Sequence, residues 1–275
     1  MSTLAAPSPA TSVAALPLDA YEPLPSEMQR INRALEVHAE DCVRRKGLDW
    51  PDPVEQPGTP RPSNERRYGI SDAGTARAYG YHLPPPIGAS RAQQAEARKQ
   101  AEESKARLSA GAIAAYTGQD SRAPRPDPGR PGCRTEAVRS LGFAAAQDMS
   151  ITPVTRAKST AWKSTQADPR AVAANTAWSA CMRARGYDYD TPFTAAGDRA
   201  WGDLAGLEEP GEREVATATA DVDCKQAVGY LATWRDIEAR LEDELLAADR
   251  EAIDETRARW AEALRRADAA LKSAS

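Results

Sequence analysis

Apolar residues recur at intervals of three and four along much of this chain, with no sustained apolar–polar alternation. Such spacing predicts helices rather than strands. "INRALEVHAEDCVRRKG" puts Ile31, Leu35, His38 or Ala39, and Cys42 on one helical face. Arg44, Arg45 and Lys46 follow, set against the negative end of the helix dipole, and Gly47 stands where a left-handed residue would close the helix. "VAANTAWSACMRARG" repeats the plan, with Val172, Trp178, Cys181 and Met182 ahead of Gly186.

The same reading predicts a first helix from Ser26, a good N-cap, to Lys46, and a short helix capped by Ser71. A polar helix and a shorter one ending at Gly118 come next, then a helix opened by Cys133, then two helices from about Thr152 interrupted near Asp168 and Pro169. Five prolines make "DWPDPVEQPGTPRPSNERR" an extended loop, and "QDSRAPRPDPGRPG" breaks the chain before Cys133. A further loop is expected from Gly186 to Gly211.

From Glu212 to Leu271 there is no proline, and Gly229 is the only glycine. Val228, Leu231, Trp234, Leu241, Leu245, Ala248, Ala252, Leu264, Ala267 and Leu271 form an apolar stripe there, while Asp236 with Arg240, Glu255 with Arg259 and Glu262 with Arg266 make four-apart ion pairs on other faces. One very long helix, or two with a bend, is expected. At about 1.5 Å per residue its far end could project, which makes Trp260, Leu264 and Leu271 candidate partner-binding residues for a groove on another protein or a second copy. The alternative is that this segment folds back onto the chain's own core.

Two stretches say nearly the same thing. "CVRRKGLDWPDP" at 42–53 and "CMRARGYDYDTP" at 181–192 align without a gap, matching Cys42 with Cys181, Arg44 with Arg183, Gly47 with Gly186, Asp49 with Asp188 and Pro53 with Pro192. Trp50 falls opposite Tyr189, and both rings are expected to fold back onto their own cysteine helix. The expected fold is therefore all-α: two related helical units, each closed by a disulfide, plus a long C-terminal helix. Its boundaries are a disordered leader at 1–20, a first unit at 21–150 and a second at 151–275.

Composition narrows the chemistry. Much of the apolar 41% is alanine and Phe occurs twice, so the cores should be thin. The net charge of −4 hides a balance of +6 over 130–185 and −10 over 186–275. The basic middle, with Trp162 and Trp178 as stacking residues, is a poor nucleic-acid surface beside that acidic end. No apolar run reaches the roughly 18 residues of a membrane span, so no membrane-spanning segment is expected. "MSTLAAPSPATSVAALP" reads as the leader that follows a cleaved signal or lipid anchor.

Four cysteines allow three pairings. The intervals of 90, 47 and 42 residues contain no metal knuckle, and His38 and His82 stand in no ligand pattern with them, so no metal or cofactor is expected. Respecting the duplication pairs Cys42 with Cys133 and Cys181 with Cys224; reduced, buried cysteines are the alternative in a cytosolic chain. Neither histidine suggests catalysis. His38 lies on an apolar stripe and His82 precedes "LPPP", where it reads as a turn residue. There is no GxSxG, HExxH, phosphate loop or dinucleotide fingerprint.

Taken together, "LPLDAY" at 16–21, "CVRRKG", "RRYGISDAGTARAYGYH" at 66–82, "GCRTEAVRSLG" at 132–142, "WSACMRARGYDY" and "ADVDCK" resemble a group of uncharacterised exported and lipid-anchored four-cysteine proteins of high-GC actinobacteria. The resemblance covers nearly the whole chain. It implies an extracytoplasmic place and the same cysteine order, and it implies no activity. The chain departs from the lipid-anchored members in showing no lipobox cysteine. The expectation is a non-enzymatic binding or accessory protein of the cell envelope, with an extracytoplasmic hydrolase of wall material as the alternative.

Overall fold

The computed structural model describes residues 15–119 and 131–273, and within them regular structure is helical, with only isolated bridges in place of strands. Along the chain run α1 (Pro25–Arg45), α2 (Ala73–Tyr79), α3 (Arg91–Ala106), α4 (Ala110–Thr117), α5 (Cys133–Ser140), α6 (Gln147–Ser150), α7 (Pro153–Ala167), α8 (Pro169–Ala184), α9 (Pro192–Ala196), α10 (Glu212–Ala227), α11 (Tyr230–Ala248) and α12 (Arg250–Ser273). Short 3-10 turns lie at Pro17–Tyr21 and Arg199–Trp201. The proline-rich stretch before Cys133 falls largely outside the described residues, as does the leader up to residue 14.

Several helix starts differ from expectation by a residue or two, each for a local reason. Helix α1 begins at Pro25 rather than behind Ser26, because the Glu27 carboxylate reaches back to accept from the Leu24 amide at 2.9 Å. At α2 the cap is Asp72 and not Ser71, its carboxylate accepting from Thr75 N–H at 2.6 Å. Helices α7 and α8 divide at Asp168, as expected, with Pro169 in the first turn. The expected 186–211 loop contains α9 and a 3-10 turn, since Thr191 and Asp198 each cap the turn that follows.

The stretch from 212 onward is three helices instead of one or two. It breaks at Val228–Gly229 and again at Asp249. Part of the expected 1–20 leader belongs to the fold: Leu16 and Leu18 are buried, and residues 17–21 form a turn. An apolar pair at i, i+2 in a Pro-bearing segment is too short a pattern to announce burial.

The chain divides into two compact units, neither of them a continuous stretch. One comprises residues 20–60, 86–156 and 249–273 and contains the Cys42–Cys133 disulfide; the other comprises 15–19, 61–85 and 157–248 and contains Cys181–Cys224. The expected boundary near 150 differs from this division, because 61–85 contributes core residues to the second set while α12 packs in the first. Both disulfides follow the pairing drawn from the repeat, and loops of these lengths give about 4 to 4.6 kcal/mol each in the chain-entropy account.

In the Cys42–Cys133 unit α1 packs on α5 and α12. Ile31 and Ala34 meet Val138, Leu141 and Phe143 and, from α12, Trp260, Ala263 and Ala267. Around the disulfide a second cluster gathers Ala39, Val43, Ala112 and Ala137. Small side chains let these helices approach closely, so a thin core is still a dry one.

At both cysteine helices the same closing turn appears. Gly47 and Gly186 have φ of 73° and 86°, and the next residue, Leu48 or Tyr187, donates back to Val43 O (3.4 Å) or Met182 O (3.0 Å). That is the six-to-one bond of a glycine-closed helix. Arg44 then bridges to Asp52 (2.8 Å), and Arg183 to Asp188 and Asp190 (3.0 Å each). Trp50 and Tyr189 do fold back but only half-bury: Trp50 stacks on Tyr116 at 4.7 Å, and the Tyr189 hydroxyl donates to Asp198 at 2.7 Å. Burial and that bond to Asp198 push the Tyr189 hydroxyl up to about 12.

Because Trp260 is buried against Phe143 at a centroid distance of 5.1 Å, Trp260→Ala should cost about 3–5 kcal/mol. Urea denaturation alongside sedimentation checks this. A near-wild-type midpoint with a changed solution mass would mean that the ring serves an intermolecular contact instead.

Candidate functional site

Most of the buried charge belongs to the Cys181–Cys224 unit, where α10 contacts α2, α8, α9 and α11. One face of α10 carries Glu214, Ala218, Asp221, Val222 and Lys225, and all five are buried. Their spacing is that of an apolar stripe, yet three of the five ionise. On α11 the inward residues are Tyr230, Trp234, Ile237, Glu238, Glu242 and Leu246, again an apolar spacing with two carboxylates set into it.

Each of these charges finds partners inside the unit. Lys225 Nζ donates to Asp221 Oδ2 (3.1 Å) and to the Ile70 carbonyl (2.7 Å), and Trp178 Nε1–H donates to Asp221 Oδ1 (2.9 Å). Burial raises the Asp221 pKa and lowers that of Lys225, in each case against the pull of the partner's charge. Glu214 Oε1 accepts from the amides of Tyr81 (2.7 Å) and His82 (3.3 Å) and faces His82 Nδ1 at 2.9 Å. Arg66 spans the same turn, donating to the carbonyls of Tyr81 (2.5 Å) and His82 (2.7 Å), and its burial lowers its pKa. Gly80 is required here, since a Cβ at that position would run into the Glu214 carboxylate.

His82 is therefore not the surface turn residue its sequence context suggested. It is buried, its Nδ1 is tied to Glu214, and its Nε2 is buried without a hydrogen-bond partner. The "LPPP" that follows carries the chain away, but the two peptide amides ahead of it point inward at Glu214 and take the ring with them. His38 is half-buried on α1, as its stripe position implies.

An aromatic cluster adjoins the α11 carboxylates. Trp234 lies 5.4 to 6.1 Å from the rings of Tyr230, Trp162, Phe193 and Tyr68. The Arg67 guanidinium sits 5.0 Å over Trp162 and pairs with Glu238. Burial alone would lower the Arg67 pKa; the hydrogen bond and charge of Glu238 reverse that and raise it. Glu242 uses its Oε2 to accept from the Leu18 amide at 2.9 Å.

No family model, curated protein or solved structure matches the chain. Among the described residues no group of three or more His, Cys, Asp or Glu side chains is placed to hold a metal ion, and no helix is long and apolar enough to cross a membrane.

The candidate partner-binding residues stand elsewhere. Trp260 is buried, and Leu264 and Leu271 are half-buried against the cluster built by Ile31, Ala34 and Phe143. They line the interior of the Cys42–Cys133 unit and not an exposed stripe, because α1 offers α12 an apolar face. Of the ion pairs expected on the outer faces, Glu262 with Arg266 forms at 2.7 Å, while Arg240 turns to Glu244 at 2.7 Å.

Lys225→Met would leave Asp221 buried opposite an apolar chain and should cost about 3–5 kcal/mol. In a double-mutant cycle with Asp221→Leu the combined loss should fall short of the sum of the single losses, leaving mainly the orphaned Ile70 carbonyl and Tyr81 hydroxyl at about 1–3 kcal/mol each, since Trp178 N–H keeps the Asp221 carbonyl. Additive losses in urea titrations would mean that the two charges do not support one another.

Proposed function

We propose that this chain is a non-enzymatic binding or accessory protein of the cell envelope, working outside the cytoplasm. The observation that carries the reading is its pair of disulfides, which involve all four cysteines and give each compact unit one covalent closure. Disulfides of this structural kind persist in oxidising compartments. The partnering of buried charges supports the same reading: Asp221, Lys225, Glu214 and Arg66 spend their hydrogen bonds on the chain's own backbone and side chains. The likeness to exported four-cysteine proteins points the same way, and the recurring closing turns fit an ancestral duplication.

A protein partner, or a second copy, would meet α12 on its outer face. That face offers Glu251, Glu255, Arg259 and Arg265, with the apolar stripe turned inward. An acidic C-terminal portion favours a basic partner surface.

One observation favours a second reading, an extracytoplasmic hydrolase acting on wall material. His82 is held by a carboxylate at Nδ1 and has a free Nε2, the arrangement of an oriented general base.

The test uses the exported protein and isolated cell envelope. Thiol labelling before reduction should find no free cysteine, and co-sedimentation should find binding with no release of soluble wall fragments. Free thiols in exported material would remove the extracytoplasmic reading. Fragment release that disappears in His82→Gln, with the fold retained, would replace binding by hydrolysis.

A further inference from the structure

Glu238 and Glu242 lie four residues apart on α11, so both side chains leave the helix on one side, and both are fully buried. Glu242 has one oxygen engaged and one free: its Oε2 is taken by the Leu18 amide and its Oε1 has no partner. On Glu238, Oε1 is taken by Arg67, and the Tyr68 hydroxyl is the further donor beside the carboxylate. Neither carboxylate can donate to the other, and a single proton on Glu242 supplies the missing donor.

The surrounding charges come to the same count. Facing the pair are Asp19 from the 17–21 turn, Arg67 and the Tyr68 hydroxyl from the loop before α2, and Lys158 from α7. Three carboxylates stand against two cations. Lys158 is already committed to Asp19 at 2.8 Å and Arg67 to Glu238, which leaves Glu242 as the carboxylate without a counter-ion. The Tyr68 hydroxyl adds no negative charge, since burial and the adjacent Glu238 push its pKa upward.

We propose that Glu242 keeps a proton beside the buried Glu238 carboxylate, and that this proton latches residues 16–19 onto α11. The latch has three further points. The Leu16 amide donates to Asp19 at 2.8 Å, Asn64 donates to Asp19 at 3.0 Å, and Leu18 is fully buried. Losing the proton puts two adjacent charges under the segment.

The pH window follows from Glu242. Burial, and after it the Glu238 and Asp19 charges, raise its pKa from an ordinary 4.5 to about 7, against the lowering pull of the Leu18 amide and Lys158. The folded chain keeps a proton that the unfolded chain releases at the lower value. The stability it contributes is full below about 4.5 and is lost as pH rises to about 7.

Infrared spectroscopy of the whole chain in D2O tests the proton directly. At about pH 6, between the two values, the wild type should show the carbonyl stretch of a protonated carboxyl group, titrating away with a midpoint near 7. Glu242→Gln keeps an acceptor for Leu18 and supplies a permanent donor to Glu238, so it should lack the band while holding the latch closed. One pH unit above the midpoint, Leu18 amide exchange, corrected for the intrinsic rate, should be about tenfold slower in Glu242→Gln than in wild type. Absence of the band from the wild type would overturn the retained proton. So would a band that survives undiminished in Glu242→Gln. Equal Leu18 exchange in wild type and Glu242→Gln on both sides of pH 7 would overturn the latch.

Discussion

The desolvation of charge on the inward face of α10 sets the terms for the rest of its unit. Asp221 and Lys225 have no water to reach, so every polar group near them is recruited. Trp178 turns its ring N–H to the carboxylate, and the chain near Ile70 bends so that a carbonyl receives the ammonium. Two turns earlier on α10, Glu214 gathers two consecutive amides and a histidine ring. An apolar α10 would pack against many neighbours in several registers. This one accepts only the arrangement in which its partners arrive together, a specificity that hydrophobic burial does not supply.

Helices, their ends and the cysteine pairing could be read from the sequence because each depends on neighbours in the chain. Gly47 and Gly186 stand where a helix has to close, and the shared frame around Cys42 and Cys181 carried the pairing of all four cysteines. The buried charges could not be read the same way. Asp221 and Lys225 show the four-residue spacing of Glu262 and Arg266, and on spacing alone both are solvent-facing ion pairs. Only the packing around each helix separates them. A signal did exist: Glu214, Asp221 and Lys225 fall at stripe spacings with Ala218 and Val222, and a periodicity search that scores apolar residues alone passes over them.

The C-terminal region illustrates a different limit. Its apolar stripe was legible, but the stripe says only that a face must be covered and not by what. Breaks at Val228–Gly229 and Asp249 give three helices where one long helix, or two with a bend, was expected, and α12 covers α1. Trp260, whose place on the far part of the stripe suggested a contact with another protein, fills space beside Phe143. The leader shows the converse, since Leu16 and Leu18 belong to a core although too few residues surround them to declare a pattern.

The two units interleave along the chain, yet their covalent closures do not. Packing of α1 draws on α5 and α12, far apart in the chain, so the Cys42–Cys133 unit is complete only once α12 is present. Cysteines, by contrast, meet their partners in the order of their appearance: the first with the second, the third with the fourth. On the proposed export, N-terminus first, Cys42 would meet its native partner before either competing thiol had emerged. Strictly sequential oxidation then yields the native connectivity with no reshuffling, ahead of the packing that will bury it.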